Sequence, residues 1–310
     1  MKIFYAGDLH AGETAFRKFT NAGTFYKADL VINGGDFTGK QVVPIVKNGD
    51  VYTCRYYGST VKIKKANEIP DLERNLRDAG FYPFIISEDK LNKLTEDDAE
   101  QIIKEKQIEV LKQWLELADE RFKAAGIPCI LIPGSMDDFY LDDLLNSASY
   151  VQNGDGKIIE YNGYEILSIG GGIPSVFHYP REFSEEDLAQ KIHDLAVEVK
   201  NMDKCIFNIH IPPYDTDLDQ GTVYDEELKP VLDGDALATA PSGSKAVREA
   251  IEKYQPLLSL HGHVHESRGV TILGRTICMN AGTDYDQGML RGALIDISSD
   301  GKLSYTLTAG

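Results

Sequence analysis

Pro256-Leu-Leu-Ser-Leu-His-Gly-His-Val-His265 sets an apolar run directly before three imidazoles in five residues. Read as a buried strand running out into a loop, it puts His261, His263 and His265 on one side of the extended backbone, with Gly262 free to turn sharply. Imidazole is a common ligand of first-row divalent metals, and ring nitrogens at i and i+2 off a strand end can reach two ions a few ångströms apart. With only seven histidines in 310 residues, the cluster is a poor match to chance.

Other segments have the same form, an apolar run that ends in metal-binding residue types. Lys2-Ile-Phe-Tyr-Ala6 delivers Gly7, Asp8 and His10, and Asp29-Leu-Val-Ile-Asn33 delivers Gly34-Gly35-Asp36. Lys204-Cys-Ile-Phe-Asn-Ile209 ends in His210, and Pro212-Pro213 then stops the strand. A single Asp after a strand is commonly a turn residue. Several such blocks together predict an open α/β sheet whose site lies outside the C-terminal strand ends.

These blocks resemble the calcineurin-like metallophosphoesterases, whose motifs run Asp-x-His, Gly-Asp, Gly-Asn-His-Asp or Glu, a single His, and Gly-His-x-His. The matches are Asp8 and His10, Gly35 and Asp36, His210, and Gly262, His263 and His265, with Asn280-Ala-Gly-Thr283 similar to the segment that follows the histidine motif. The resemblance implies a four-layer α-β-β-α sandwich of two mixed sheets. It also implies that Asp8, His10 and His265 bind a first metal, that Asp36 bridges, and that Ser135, or a water it holds, joins His210 and His263 on a second. The ligand chemistry agrees, since a carboxylate has two oxygens to share and neutral imidazoles add no charge. Manganese is the expected metal, and mixed nitrogen and oxygen ligands also suit iron, zinc, cobalt or nickel. His261 lies outside this set, as a hydrogen-bond partner of the site or a packed core residue.

One block departs from the pattern. Pro128-Cys-Ile-Leu-Ile132 leads to Pro133-Gly-Ser-Met-Asp-Asp138, with Ser135 where the family has Asn and Met136 where it has the His that assists the leaving group. A hydroxyl is a poorer ligand than an amide oxygen, which weakens the second metal. Methionine carries no proton, so acid assistance worth about 10²- to 10⁴-fold is absent. Asp137 can substitute as the catalytic acid, or it can be structural, capping or orienting a neighbour.

Arg268 and Arg291, near the histidine and Asn-Ala-Gly loops, are candidates for clamping a substrate phosphate; structural ion pairing is the competing reading. No Gly-x-x-x-x-Gly-Lys-Ser/Thr loop occurs, which argues against a nucleotide-triphosphate switch. The formal charge of −17, from 49 acids and 32 bases, shows no basic stripe for long nucleic acid. A small phosphorylated substrate is the expected partner. Cys54, Cys129, Cys205 and Cys278 are scattered and read as reduced core residues. With no apolar stretch of about 18 residues and no signal-peptide pattern, a cytoplasmic protein without membrane contact is expected.

Because the ligands span Asp8 to His265, residues 1–310 are expected to form a single metal-binding domain, with residues 40–95 inserted as a small β meander plus helix. Asn48-Gly49 favours a tight hairpin there, acting as a lid over the cleft or packing a sheet edge. Thr95 to Ala125 reads as a long amphipathic helix with Thr95 and Asp98 capping its start, and Ile103, Val110, Trp114 and Leu117 near one face. Gly170-Gly-Gly172 is expected to let a strand end approach the site, and His178 to border the cleft. The acids of Pro212 to Asp219 are expected to be solvated, with binding of substrate hydroxyls the competing reading. Ser242 to Glu249 opens a helix that caps itself or offers amides to an anion. Strands near Arg275 to Asn280, Leu290 to Ile297 and Leu303 to Thr308 complete the sheet.

The chemistry expected is metal-dependent phosphodiester hydrolysis by in-line attack of a metal-bridging hydroxide. Phosphomonoester hydrolysis and a catalytically weak metal-binding scaffold are the alternatives.

Overall fold

In the computed structural model, which describes Met1–Gly310, two six-stranded sheets lie face to face. The first orders its strands Leu303–Ala309, Arg291–Ile297, Lys2–Ala6, Leu30–Asn33, Cys129–Leu131 and Gln152–Asn153. The second runs Gly269–Leu273, Thr276–Asn280, Leu258–His261, Cys205–Ile209, Tyr164–Ile169 and Lys157–Tyr161. Both are mixed. Lys2–Ala6, Leu30–Asn33 and Cys129–Leu131 are mutually parallel, as are Tyr164–Ile169, Cys205–Ile209 and Leu258–His261; antiparallel strands close three of the four edges, and Gln152–Asn153 at the fourth pairs in parallel.

Side-chain alternation explains the layering. Ile3, Tyr5, Leu30, Ile32 and Ile130 point into the inter-sheet core, where they meet Ile166, Ile206, Leu258 and Leu260 of the other sheet. Their neighbours Phe4, Ala6, Val31, Cys129 and Leu131 face the opposite way, onto the helices Glu13–Tyr26 and Glu96–Ala125. On the far side Leu167, Phe207 and Ile209 pack on Glu185–Ala196 and Lys245–Tyr254. A strand buried on both faces must be apolar throughout, which is why these segments read as uninterrupted hydrophobic runs. The result is the expected α-β-β-α order. All four cysteines are free and buried, and no helix is long and apolar enough to cross a membrane.

The helix Glu96–Ala125 starts in a capping box between Thr95 and Asp98. Its buried face is Leu111, Trp114, Leu115, Ala118 and Phe122, so Val110 and Leu117 sit at the margin of the stripe and only Trp114 at its centre. The stack of Trp114 on Phe16, at a ring distance of 3.9 Å, sets that rotation.

Residues 42–87 contain a separate four-stranded sheet, ordered Ser59–Ile63, Val51–Tyr56, Val42–Asn48 and Tyr82–Ser87, with its own core of Val43, Ile45, Cys54, Ile63, Leu72, Leu76 and Phe81. Asn48 pairs with Val51, so the two-residue turn is Gly49-Asp50, one position later than Asn48-Gly49. Only Gly49 of the two has positive φ, at 61°. The last strand pairs in parallel with the first, a long-range closure that no local turn signal announces. This unit leans on the first helix, where Thr14 Oγ1 donates to Asp78 at 2.7 Å, and none of its residues lines the cleft described next.

Candidate metal centre

Each candidate ligand follows a parallel strand at its C-terminal end, and five loops carry them. Asp8 N–H donates to Gly35 O at 2.9 Å, His10 N–H to Asp36 O at 3.0 Å and Ala11 N–H to Phe37 O at 2.7 Å, zipping the first two loops together. Asp8, His10, Asp36 and His263 all have positive φ, between 40° and 67°. For residues with a Cβ this costs about 1–2 kcal/mol each, strain of the kind that persists where surrounding bonds over-determine the backbone. Two glycines permit the crowding. A Cβ on Gly262 would lie 2.2 Å from Asp8 Oδ2, and one on Gly134 would lie 2.0 Å from Asp36 Oδ1.

The side chains converge as two triads. Asp8, His10 and His265 form one and Asp36, His210 and His263 the other, the ligand atoms within each lying no more than 4.8 Å apart. His10 Nε2 and His265 Nε2 stand 2.9 Å from each other, and both are within 3.9 Å of Asp8 Oδ1. Asp36 Oδ2 lies 3.4 Å from His210 Nε2 and 3.7 Å from His10 Nε2, between the two groups. Ser135 Oγ is 3.3 Å from His263 Nδ1, on the second triad's side.

Backbone groups hold these donors in place. Met136 N–H donates to Asp36 Oδ1 and His263 N–H to Asp8 Oδ1, each at 2.9 Å. His210 Nδ1 donates to Gly34 O at 2.7 Å, which turns the buried Nε2 inward, where it makes no hydrogen bond. His261 is fully buried and donates through Nδ1 to Ile209 O and Ile211 O, on either side of His210. It therefore anchors the ligand's backbone. Asn280 Nδ2 donates to Val264 O at 2.8 Å and Thr283 Oγ1 to Asp8 O at 2.8 Å, so the Asn-Ala-Gly-Thr segment braces both ligand loops.

The electrostatics suit cations. Burial, followed by the neighbouring histidines, lowers His10 and His263 to about 3, leaving neutral rings with free lone pairs near pH 7. Burial lowers His261 to about 4. Burial also acts to lower His210, but the Asp36 carboxylate outweighs it and holds the imidazole up at about 9. Burial would raise Asp36, yet His210 overrides it and holds the carboxyl below its ordinary range, whereas burial raises Asp8. An unpartnered buried nitrogen, two imidazole nitrogens facing each other and two buried carboxylates make a donor set that fits a pair of divalent ions.

Several expectations are corrected. Asp137 is not placed for proton transfer: its buried carboxylate accepts from Phe37 N, Thr38 N, Thr38 Oγ1 and Gly134 N, all within 3.0 Å, and ties the second loop to the third. Asp137→Ala should therefore strand several buried donors and cost about 3 kcal/mol or more of stability in urea unfolding. An unchanged unfolding midpoint with turnover lost would restore the catalytic role. Neither arginine reaches the cleft, because Arg291 pairs with Asp284 and Arg268 donates to Thr308 O. Asp219 is buried rather than solvated and accepts from Asp215 N, Thr216 N and Gly243 N, while Asp215 and Asp217 are exposed. Glu185 accepts from Lys245 N and Ala246 N, filling the helix start that an anion would need. Gly172 does pack beside Ser135 and His263.

The cleft over the triads, of about 220 Å³, is also lined by Phe177, Tyr179, Tyr224 and Glu266. Sequence reasoning missed these four. They come from three loops with no common spacing, and only the expectation that His178 borders the cleft pointed to one of those loops.

The family model described as "Calcineurin-like phosphoesterase" matches residues 1–267. An uncharacterized protein of Methanocaldococcus jannaschii is 31% identical over 177 residues, covering 56% of this chain and 70% of its own length. Two crystal structures share the fold across 99% of this chain and 98% of theirs, each at 15% identity. One has a TM-score of 0.60; the other, from Thermus thermophilus, has 0.55.

Proposed function

Because the chain belongs to the calcineurin-like phosphoesterase family, we propose that its metal-dependent phosphoester hydrolysis is that of a phosphodiesterase acting on a small substrate. In this reading Asp8, His10 and His265 hold one divalent ion and Asp36, His210 and His263 the other, with Asp36 shared and Ser135 adding a weak oxygen or a held water. Manganese is the expected ion. The observation that carries the reading is the meeting of the two triads at Asp36, 3.7 Å from one imidazole and 3.4 Å from another. When bound, such a pair of ions activates water and neutralises charge on the transferring phosphoryl group.

The residues around the cleft favour a diester. No arginine or lysine is among its lining side chains, and Lys40 sits over the Tyr179 ring with Nζ 5.8 Å from the centroid, so little positive charge from the protein helps to neutralise the second charge of a monoester. Met136 lines the cleft without a proton to give, and Asp137 is committed elsewhere. The departing alcohol must take its proton from water, which favours substrates whose alcohol leaves readily. The four buried free cysteines fit a reducing compartment, and we place the protein in the cytoplasm.

Protein stripped with chelator, reloaded with manganese and assayed on bis(p-nitrophenyl) phosphate and p-nitrophenyl phosphate tests this. Two metals per chain and at least about 10-fold higher kcat/KM on the diester are expected, a difference of roughly 1.4 kcal/mol at the transition state. A preference for the monoester would reverse the substrate assignment. Fewer than one metal per chain and no turnover would leave a binding scaffold.

A further inference from the structure

Beside the metal ligands the cleft carries an aromatic wall. Phe177 and Tyr179 are parallel, with ring centres 5.3 Å apart and planes 5° apart, and Tyr224 stands against Phe177 at 5.1 Å and 69°. The residue between the parallel rings, His178, has φ of 51°, which kinks the loop between them. Several bonds pin that loop to the site. His178 N–H donates to Ser175 O, Arg181 N–H to Ser135 O and Gly172 N–H to Arg181 O. Tyr224, 36% exposed, keeps its ring at the mouth.

The polar groups nearby complement a neutral donor and disfavour a second phosphate. Glu266 accepts through Oε1 from Thr222 N–H at 2.7 Å and Thr222 Oγ1 at 2.8 Å, leaving Oε2 without a protein donor. A carboxylate in that position repels anions and accepts from hydroxyl or amine hydrogens.

We propose that this wall is a nucleoside subsite: a nucleobase stacks on the parallel Phe177–Tyr179 pair with Tyr224 against its edge, Glu266 accepts from a ribose hydroxyl or a base amine, and the phosphodiester lies over the triads. The inference rests on the phosphodiesterase reading for the position of the phosphate. Water's oxygen then bonds to phosphorus as one P–O ester bond breaks, giving a nucleotide and an alcohol that keeps a water-derived proton. A flat ring is favoured over a bare sugar because the stacked pair offers a planar π-face, and base-on-aromatic stacking is tolerant of which base is present.

Calorimetric titration of manganese-loaded protein with AMP and with ribose 5-phosphate tests the wall without turnover. AMP should bind about 5- to 150-fold more tightly, the range expected for one stacked base. Phe177→Leu and Tyr224→Leu should each pull that ratio toward one, with thermal unfolding and bound manganese matching the parent protein. Equal affinity for the two ligands in the parent protein overturns the subsite. A companion assay compares thymidine 5′-p-nitrophenyl phosphate with methyl p-nitrophenyl phosphate, which share a leaving group. A higher kcat/KM for the nucleoside diester supports the proposal, and equal values count against it. No turnover of either diester, with the AMP preference intact, would reject the hydrolase reading and uphold the subsite.

Discussion

Asp36→Ala is expected to lower phosphodiester turnover by at least about 10³-fold, because metal-ion stabilisation is worth several kcal/mol and each 1.36 kcal/mol is a factor of ten. Asp36 is the carboxylate that lies within 3.7 Å of an imidazole of each triad, so its loss affects both at once. Bound manganese should fall from two per chain to one or less. The fold should survive, since the carboxylate packs against Gly134 and receives one backbone N–H, that of Met136, whose lost bond costs about 1–3 kcal/mol. Elemental analysis, steady-state kinetics and a urea melt on the same preparation separate these effects. Retention of two metals and of near-parental turnover would show that the triads act independently, and the shared-ligand arrangement would be wrong.

Met136→His should produce a gain. The side chain lines the cleft beside Asp36 and is only partly buried, so an imidazole can be accommodated there and can donate a proton to a departing alcohol. General acid assistance contributes about 10²- to 10⁴-fold, felt in full by alkoxide leaving groups and hardly at all by p-nitrophenolate. The variant should therefore raise kcat on a methyl or ribosyl diester by that order while changing bis(p-nitrophenyl) phosphate turnover by less than about threefold. A plot of log kcat against leaving-group pKa gives the readout, steep for the natural protein and flatter for the variant. Parallel lines would mean that the proton already comes from another group, and the consequence drawn from Met136 would fail.

Much of this centre was legible along the chain because its ligands obey a local rule. Apolar strands buried on both faces announce themselves as runs such as Leu30-Val-Ile-Asn33, and the residue types at their ends, Asp8, His10, Asp36, His210, His263 and His265, are few and chemically specific. Capping of the long helix by Thr95 and Asp98 is equally local, because both partners lie within one turn.

The misreadings concern residues whose partners no motif or periodicity marks. Asp137 looks from the sequence like a spare acid, but its acceptors are used by Phe37 and Thr38, about a hundred residues distant. Arg291 and Arg268 sit near the right loops in sequence, but their guanidinium groups are engaged by Asp284 and by Thr308 O of the last strand. The aromatic wall joins Phe177 and Tyr179 to Tyr224 from another loop, and no periodicity links them.

What the chain order alone determined was therefore the set of strands, the ends at which they deliver metal-binding residue types, and the identity of the candidate ligands, since period-two burial and donor chemistry are properties of short segments. Which carboxylate lies between the two triads, which acid is occupied by backbone donors and what side chains line the cleft were decided only when the two sheets packed. Those properties depend on distances between loops, and such distances exist only after the shared core of Ile3, Tyr5, Ile206 and Leu260 has closed.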